Sequence, residues 1–235
     1  MLRVTYFKQY IHMNTTIKSF LSAAVIFSLV SCSGGGHEHA EDHGHDQNHG
    51  HDYGTEETNQ CLYEFVADST ILTWTAYKTG EKVPVSGTFD ELEISGTSSS
   101  ESLMGVFEKA EFKIRTGSVN SANPDRDAKI AEHFFGKMSD ARSISGSVAQ
   151  LTEENATVVF TMNGISMKQE MMVETDGKYS VTISANLDVN NWNLQPSLAA
   201  LNEVCSVLHT GADGESKLWD EVRVELRAMA VNPCD

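Results

Sequence analysis

The feature that most restricts what this chain can fold into is a series of short runs in which apolar and polar residues alternate, each ended by Gly, Asn, Asp or Ser. A period of two sends successive side chains to opposite faces of an extended strand, so such a run buries one face and wets the other. Leu72, Trp74 and Ala76 share one face, with Thr73, Thr75 and Tyr77 on the other, and Phe112 and Ile114 alternate with Lys113 and Arg115. Val158 to Met162, then Asn163-Gly164, then Ile165 to Val173 predicts a hairpin, because Asn-Gly accepts positive φ at both turn positions. Tyr179 to Val189 and Val222 to Met229 add two more strands. With roughly eight strands and little helix, the fold class is all-β, as a sandwich or a closed antiparallel barrel.

One segment breaks the alternation. Asn123-Pro124-Asp125-Arg126-Asp127 sets a capping side chain, a first-turn proline and two acids where a helix begins, and Gly136 sits where one ends. Ile130 and Phe134 lie four apart on one face, with Phe135 beside them, so this helix lies over the barrel or closes an end. A second, weaker helix is predicted from Pro196 to Val204. The Arg126 and Asp127 side chains either meet a ligand head group or form an ion pair or helix cap. Trp192 marks the barrel mouth or closes a turn, and His209 reads as a surface residue of a Gly-rich loop.

The alternating pattern begins only near Cys61; what precedes it differs in kind. Phe20 to Val30 is an apolar run behind Lys18, ending in small residues before Cys32. This is the layout of a secretory signal, and the run is shorter than the roughly 20 residues that a membrane span needs. Leu29-Val30-Ser31-Cys32 resembles a bacterial lipobox. On that reading residues 1–31 are a removed signal peptide and Cys32 is acylated, holding the chain on a membrane of the bacterial envelope. Ser33 after the cysteine, in place of an aspartate, suggests the outer membrane, with the protein facing the periplasm.

Residues 32–60 form a polar tether in which His37, His39, His43, His45, His49 and His51 fall within fifteen residues. Such a segment has too little apolar surface to bury and is expected to be disordered. Its His-x-His pairs, with Asp and Glu between, offer borderline ligands suited to Zn, Cu or Ni. Nothing in the chain requires a cofactor.

Residues 61–235 then make one domain. Without Arg3, Lys8 and Lys18 the mature chain carries 14 basic against 33 acidic residues, a net charge of −19, which opposes binding to nucleic acid. Apart from Cys32 there are Cys61, Cys205 and Cys234, so one thiol stays unpaired in a monomer. Three pairings are possible. Cys61 with Cys234 is favoured, because they bracket the domain and a closed sheet often brings first and last strands together.

Ser69 to Ala76, then Val85-Ser86-Gly87-Thr88-Phe89, then Ser118-Val119 followed by Arg126-Asp127 and Phe134-Phe135, resemble in order and spacing the YceI-like family of lipid-binding, lipocalin-like proteins. The resemblance covers roughly Cys61 to Ala230. It implies an antiparallel, lipocalin-like barrel of about eight strands with one or two short helices, enclosing an apolar channel for a polyisoprenoid or another long amphiphile. Trp74, Phe89, Phe112, Phe134 and Phe135 are the candidates for lining it. Whether the barrel forms a homodimer is left open.

Catalytic motifs do not stand out. There is no Gly-Lys-Ser or Gly-Lys-Thr phosphate loop, no Gly-x-Ser-x-Gly elbow and no His-Glu-x-x-His helix. Cys205 and His209 are four apart, but Gly211 argues that any helix has ended before it, which favours a structural cysteine. The chain therefore reads as a non-catalytic lipid carrier. The alternative is a metal-buffering or metal-delivery lipoprotein that works through its tether.

Overall fold

In the computed structural model, which describes residues 61–234, the chain forms an antiparallel sheet that closes on itself. Its strands are β1 (Glu64–Lys78), β2 (Val83–Phe89), β3 (Leu92–Ser95), β4 (Glu111–Arg115), β5 (Val119–Asn120), β6 (Ser143–Leu151), β7 (Asn155–Met162), β8 (Ile165–Thr175), β9 (Ser180–Asp188) and β10 (Leu218–Val231). The helices are α1 (Pro124–Lys129), α2 (Gln195–Val204) and α3 (Ser206–His209), and α1 runs on into a wider π-helical turn, Ile130–Phe134, and a 3-10 turn, Phe135–Lys137. The strand order is β3-β4-β6-β7-β8-β9-β10-β1-β2-β5.

The two ends of that order are joined by the chain itself. β2 leads into β3 through Asp90 and Glu91, and β4 leads into β5 through a 3-10 turn at Thr116–Ser118. These are two bent strands lying side by side: Leu92 faces Ile114 below the bend, and Phe89 faces Val119 above it. Backbone bonds from Asp90 N to Ser118 O (2.9 Å) and from Arg115 N to Glu91 O (3.0 Å) carry the pairing round the corner. Counted as bent strands, the ten segments make an eight-membered ring, the number at which a barrel interior is just filled by side chains or holds one small ligand.

The local signals act as elementary rules require. Asn163 and Gly164 take φ of 51° and 74° between β7 and β8. This is the double positive φ of a tight hairpin turn. The Asn123 side chain caps α1 by accepting from Arg126 N at 3.1 Å, with Pro124 at the first helical position.

The end of the barrel near Cys61 is packed solid. Val106, Val158 and Ala230 are wholly buried there with Ala156, and the connection between β3 and β4 folds inward to seat Leu103, Val106 and Phe107. Tyr63 and Ser100 exchange backbone hydrogen bonds of 2.7 and 3.1 Å, tying this plug to the start of β1. Cys61 and Cys234 are joined in a disulfide with Cα atoms 5.7 Å apart, and Cys205 is buried and free.

The disulfide encloses a loop with a sequence separation of 173 residues, nearly the whole domain. Loop-closure entropy then puts its contribution at up to about 5 kcal/mol. Replacing both Cys61 and Cys234 by Ser is expected to lower the unfolding free energy by about 2–5 kcal/mol, read from the urea midpoint at unchanged slope.

Candidate functional site

The opposite end of the barrel is incompletely filled. A cavity of about 130 Å³ lies between the strands and a cover made from the helical segments. Leu72, Trp74 and Ala76 of β1 form one wall, and Val222 and Val224 of β10 continue it, as the pairings Trp74 with Val224 and Ala76 with Val222 require. Ile114, Ile144, Phe160, Met162 and Leu187 complete the ring. Ile130, Phe134 and Phe135 beyond α1, with Leu198 and Leu201 of α2, supply the cover. Phe134 and Phe135 meet edge to face at 5.2 Å, and Phe135 lies 6.0 Å from Phe89.

Every wall is apolar, and the two indoles show how that is achieved. Trp74 Nε1 donates to the Thr88 carbonyl at 3.1 Å and Trp219 Nε1 to the Thr79 carbonyl at 2.8 Å, so both N–H groups are satisfied in the backbone. Trp74 lies across Gly87, its direct partner on β2, where any Cβ would collide with the ring. Glycine there lets the indole lie flat along the wall and leaves the space beside it open.

Of the five aromatic residues the sequence suggested as lining, Trp74, Phe89, Phe134 and Phe135 border the cavity. Phe112 does not. It points inward but one level lower, packed edge to face on Phe160 at 5.2 Å and across Gly146, so it belongs to the filled part of the barrel. Cys32 and the six tether histidines, His37 to His51, lie outside the described residues. Among the described residues no group of three or more His, Cys, Asp or Glu is arranged to hold a metal ion.

Arg126 and Asp127 both turn to Ser121 rather than to the cavity. Arg126 donates through Nε to Ser121 Oγ and through Nη2 to Ser121 O, each at 2.7 Å, while Asp127 Oδ1 accepts from Ser121 N at 2.9 Å and from its hydroxyl. They lock the turn that delivers the chain into α1.

Two expectations are corrected. Trp192 is not at a mouth: it closes the 3-10 turn Val189–Trp192, is completely buried, donates to the Phe160 carbonyl at 3.3 Å and packs on Phe160 behind the cavity wall. His209 is not on the surface. The helical path does reach it, since its N–H donates to Cys205 O at 3.0 Å, and its buried ring places Nδ1 2.8 Å from Asn202 Oδ1. The lining residues from β9, β10 and α2 were also missed. Their alternation was visible in Val222 and Val224, but only pairing with β1 shows their height in the barrel.

Fold and cavity define a closed antiparallel β-barrel with an apolar interior compartment under a helical cover. Residues 63–230 match the YceI-like domain, and the chain belongs to the YceI-like family. It is similar in structure to a polyisoprenoid binding domain from Saccharophagus degradans implicated in plant cell wall breakdown, at 12% identity and a TM-score of 0.52, over 74% of this chain and 99% of that one. It is also similar to BcnA of Burkholderia cenocepacia, at 11% identity and a TM-score of 0.49, over 72% of this chain and all of that one. The Campylobacter jejuni YceI protein is 14% identical, with a TM-score of 0.42 over 63% of this chain and 84% of its own. No curated protein matches in sequence.

Burial first, and then the charge of Lys78, hold the His209 pKa below the 6.5 of a free imidazole. The unfolded chain therefore takes up a proton at higher pH than the folded one, and stability falls as pH drops below 6.5 until the folded imidazole also protonates. Urea unfolding across pH 5–8 is expected to show this slope, and His209→Gln is expected to remove its part of it.

Proposed function

We propose that the domain is a non-catalytic carrier of a long apolar molecule, of polyisoprenoid or similar amphiphilic type, held at a bacterial envelope membrane through acylated Cys32. The observation that carries this reading is the cavity, whose walls offer no hydrogen-bond donor or acceptor. A polar ligand entering it would lose its water and gain no partner, at a cost of several kcal/mol, whereas each methylene buried contributes about 0.8 kcal/mol. The binding activity of the similar Saccharophagus degradans domain supports the same ligand class. The lipobox-like segment and Ser33 support anchoring at the outer membrane, facing the periplasm.

The cavity, partly open and about 130 Å³ in volume, is comparable to those that take a benzene-sized guest. A longer chain needs the cover to move. Ile130, Phe134 and Leu198 are half-buried and borne on helical segments rather than on the hydrogen-bonded ring, so they are the groups that give way.

Organic extraction of the protein purified from its own membrane is expected to release a stoichiometric long-chain lipid, identified by mass spectrometry. Ala76→Phe places a ring in the cavity from the wall of β1. It is expected to cut the lipid recovered at least fivefold while the unfolding midpoint stays within a few degrees. Lipid-free extracts from the natural protein would end the carrier reading.

The tether supports a second, separable activity, because six imidazoles within fifteen residues can wrap one borderline cation. Calorimetry with Zn²⁺ is expected to show binding to the mature protein that disappears when residues 33–60 are deleted. Equal binding by both forms would remove the tether as a site.

A further inference from the structure

The apolar stripe of α2 does not stop at the cavity. Leu194, Leu198 and Leu201 line it, and across a one-residue break at Cys205, where α2 gives way to α3, the same spacing runs on to Leu208. Along that stripe burial is lost: Leu201 and Cys205 are covered, but Leu208 is 61% exposed, flanked by Val204 at 42% and Val207 at 87%. Three aliphatic side chains stand in water at one tip, at the end of α2 and on the α3 that follows it.

The tip is held in place. Lys78 Nζ donates to the Leu208 carbonyl at 2.9 Å, Leu208 N and His209 N both donate to Cys205 O, and Thr210 Oγ1 donates to Ser206 O at 2.8 Å. The half-buried Trp219 lies close behind, with Lys217 Nζ 3.4 Å from its ring centre and Lys82 Nζ 5.0 Å from it. An indole with lysines beside an apolar point matches the interfacial zone of a bilayer. Glu203, Asp213 and Glu215 are exposed at the same end, so anionic lipid is disfavoured.

We propose that Val204, Val207 and Leu208 enter the surface of a zwitterionic bilayer, and that the stripe from Leu208 to Leu198 is the path of apolar cargo into the cavity; the path rests on the carrier reading. Chain length permits it. The tip lies at the Lys78 end of β1. Cys61 precedes the other end of that strand, roughly 50 Å away at about 3.3 Å per residue. Residues 33–60 can extend to roughly 95 Å, enough for the far end to reach the membrane that holds Cys32.

The test uses the acylated mature protein in phosphatidylcholine vesicles containing a long-chain polyprenol. Amide exchange over 204–210 is expected to slow at least tenfold relative to the full mature chain carrying Cys32→Ser without vesicles. Val207→Asp with Leu208→Asp, at positions too exposed to disturb the core, is expected to abolish that protection. The same pair is expected to slow polyprenol loading at least tenfold with the final content unchanged. Unprotected 204–210 in a protein that still loads polyprenol would overturn the docking and leave the carrier reading intact. Protection that rises with protein density on the vesicles would overturn it in favour of a second copy of the chain. A barrel that never loads would overturn the path along with the carrier reading.

Discussion

Everything in this domain depends on closure of the sheet at its two bent strands. An open antiparallel sheet of this size would present two free edges and could curl to any width. Here the step from β2 to β3 and the step from β4 to β5 occur side by side, so the edges meet each other. The ring then has one circumference, and its inward side chains must either fill the interior or leave a compartment. The two ends resolve this differently. Near Cys61 the β3–β4 connection supplies Leu103, Val106 and Phe107 as filler. At the far end Ala76 is small, Trp74 is laid flat by Gly87, and three of the residues that close the top, Ile130, Phe134 and Leu198, are only half-buried. The cavity is what remains where no inserted segment fills the ring.

The faces of the strands were legible in the sequence because alternation is a local property: Leu72, Trp74 and Ala76 point inward as their spacing says. The hairpin at Asn163-Gly164 and the cap at Asn123 were legible for the same reason, each being decided by a few consecutive residues. Height along the barrel axis was not. Phe112 and Phe89 have equally good inward patterns, yet one is floor and the other wall, because height is set by the register between strands far apart in the chain. His209 and Trp192 fail as surface or mouth residues for a related reason. A histidine beside Gly and Thr carries no local sign that Asn202 will reach its ring, and a tryptophan among asparagines carries none that Phe160 will receive its N–H.

The lack of polar atoms in the cavity bears on function more strongly than its shape. The walls offer a guest no hydrogen bond, and what they can do is exclude water. Recognition by burial alone rises with ligand length and discriminates weakly between chains of similar girth, since one methylene is worth only about 1–3 kcal/mol in such a pocket. Any finer choice must come from the cover or from groups beside the lining Trp219, against whose ring Lys217 and Lys82 stand.

The division of labour between strands and helices decides which part can move. Most of the ring is held by ladders of backbone hydrogen bonds, although β8 pairs with β9 only over Met172–Thr175 and leaves its first half bonded to β7 alone. The cover is built otherwise: α1 has six residues, and the turn after it is π-helical, a form often found where a helix yields for function. Local opening occurs where few buried contacts and short elements coincide. A guest longer than the cavity would displace Phe134 and Leu198 of this cover first, and α2, which carries Leu198 inward and Val204 outward, is the element that links them to the solvent side.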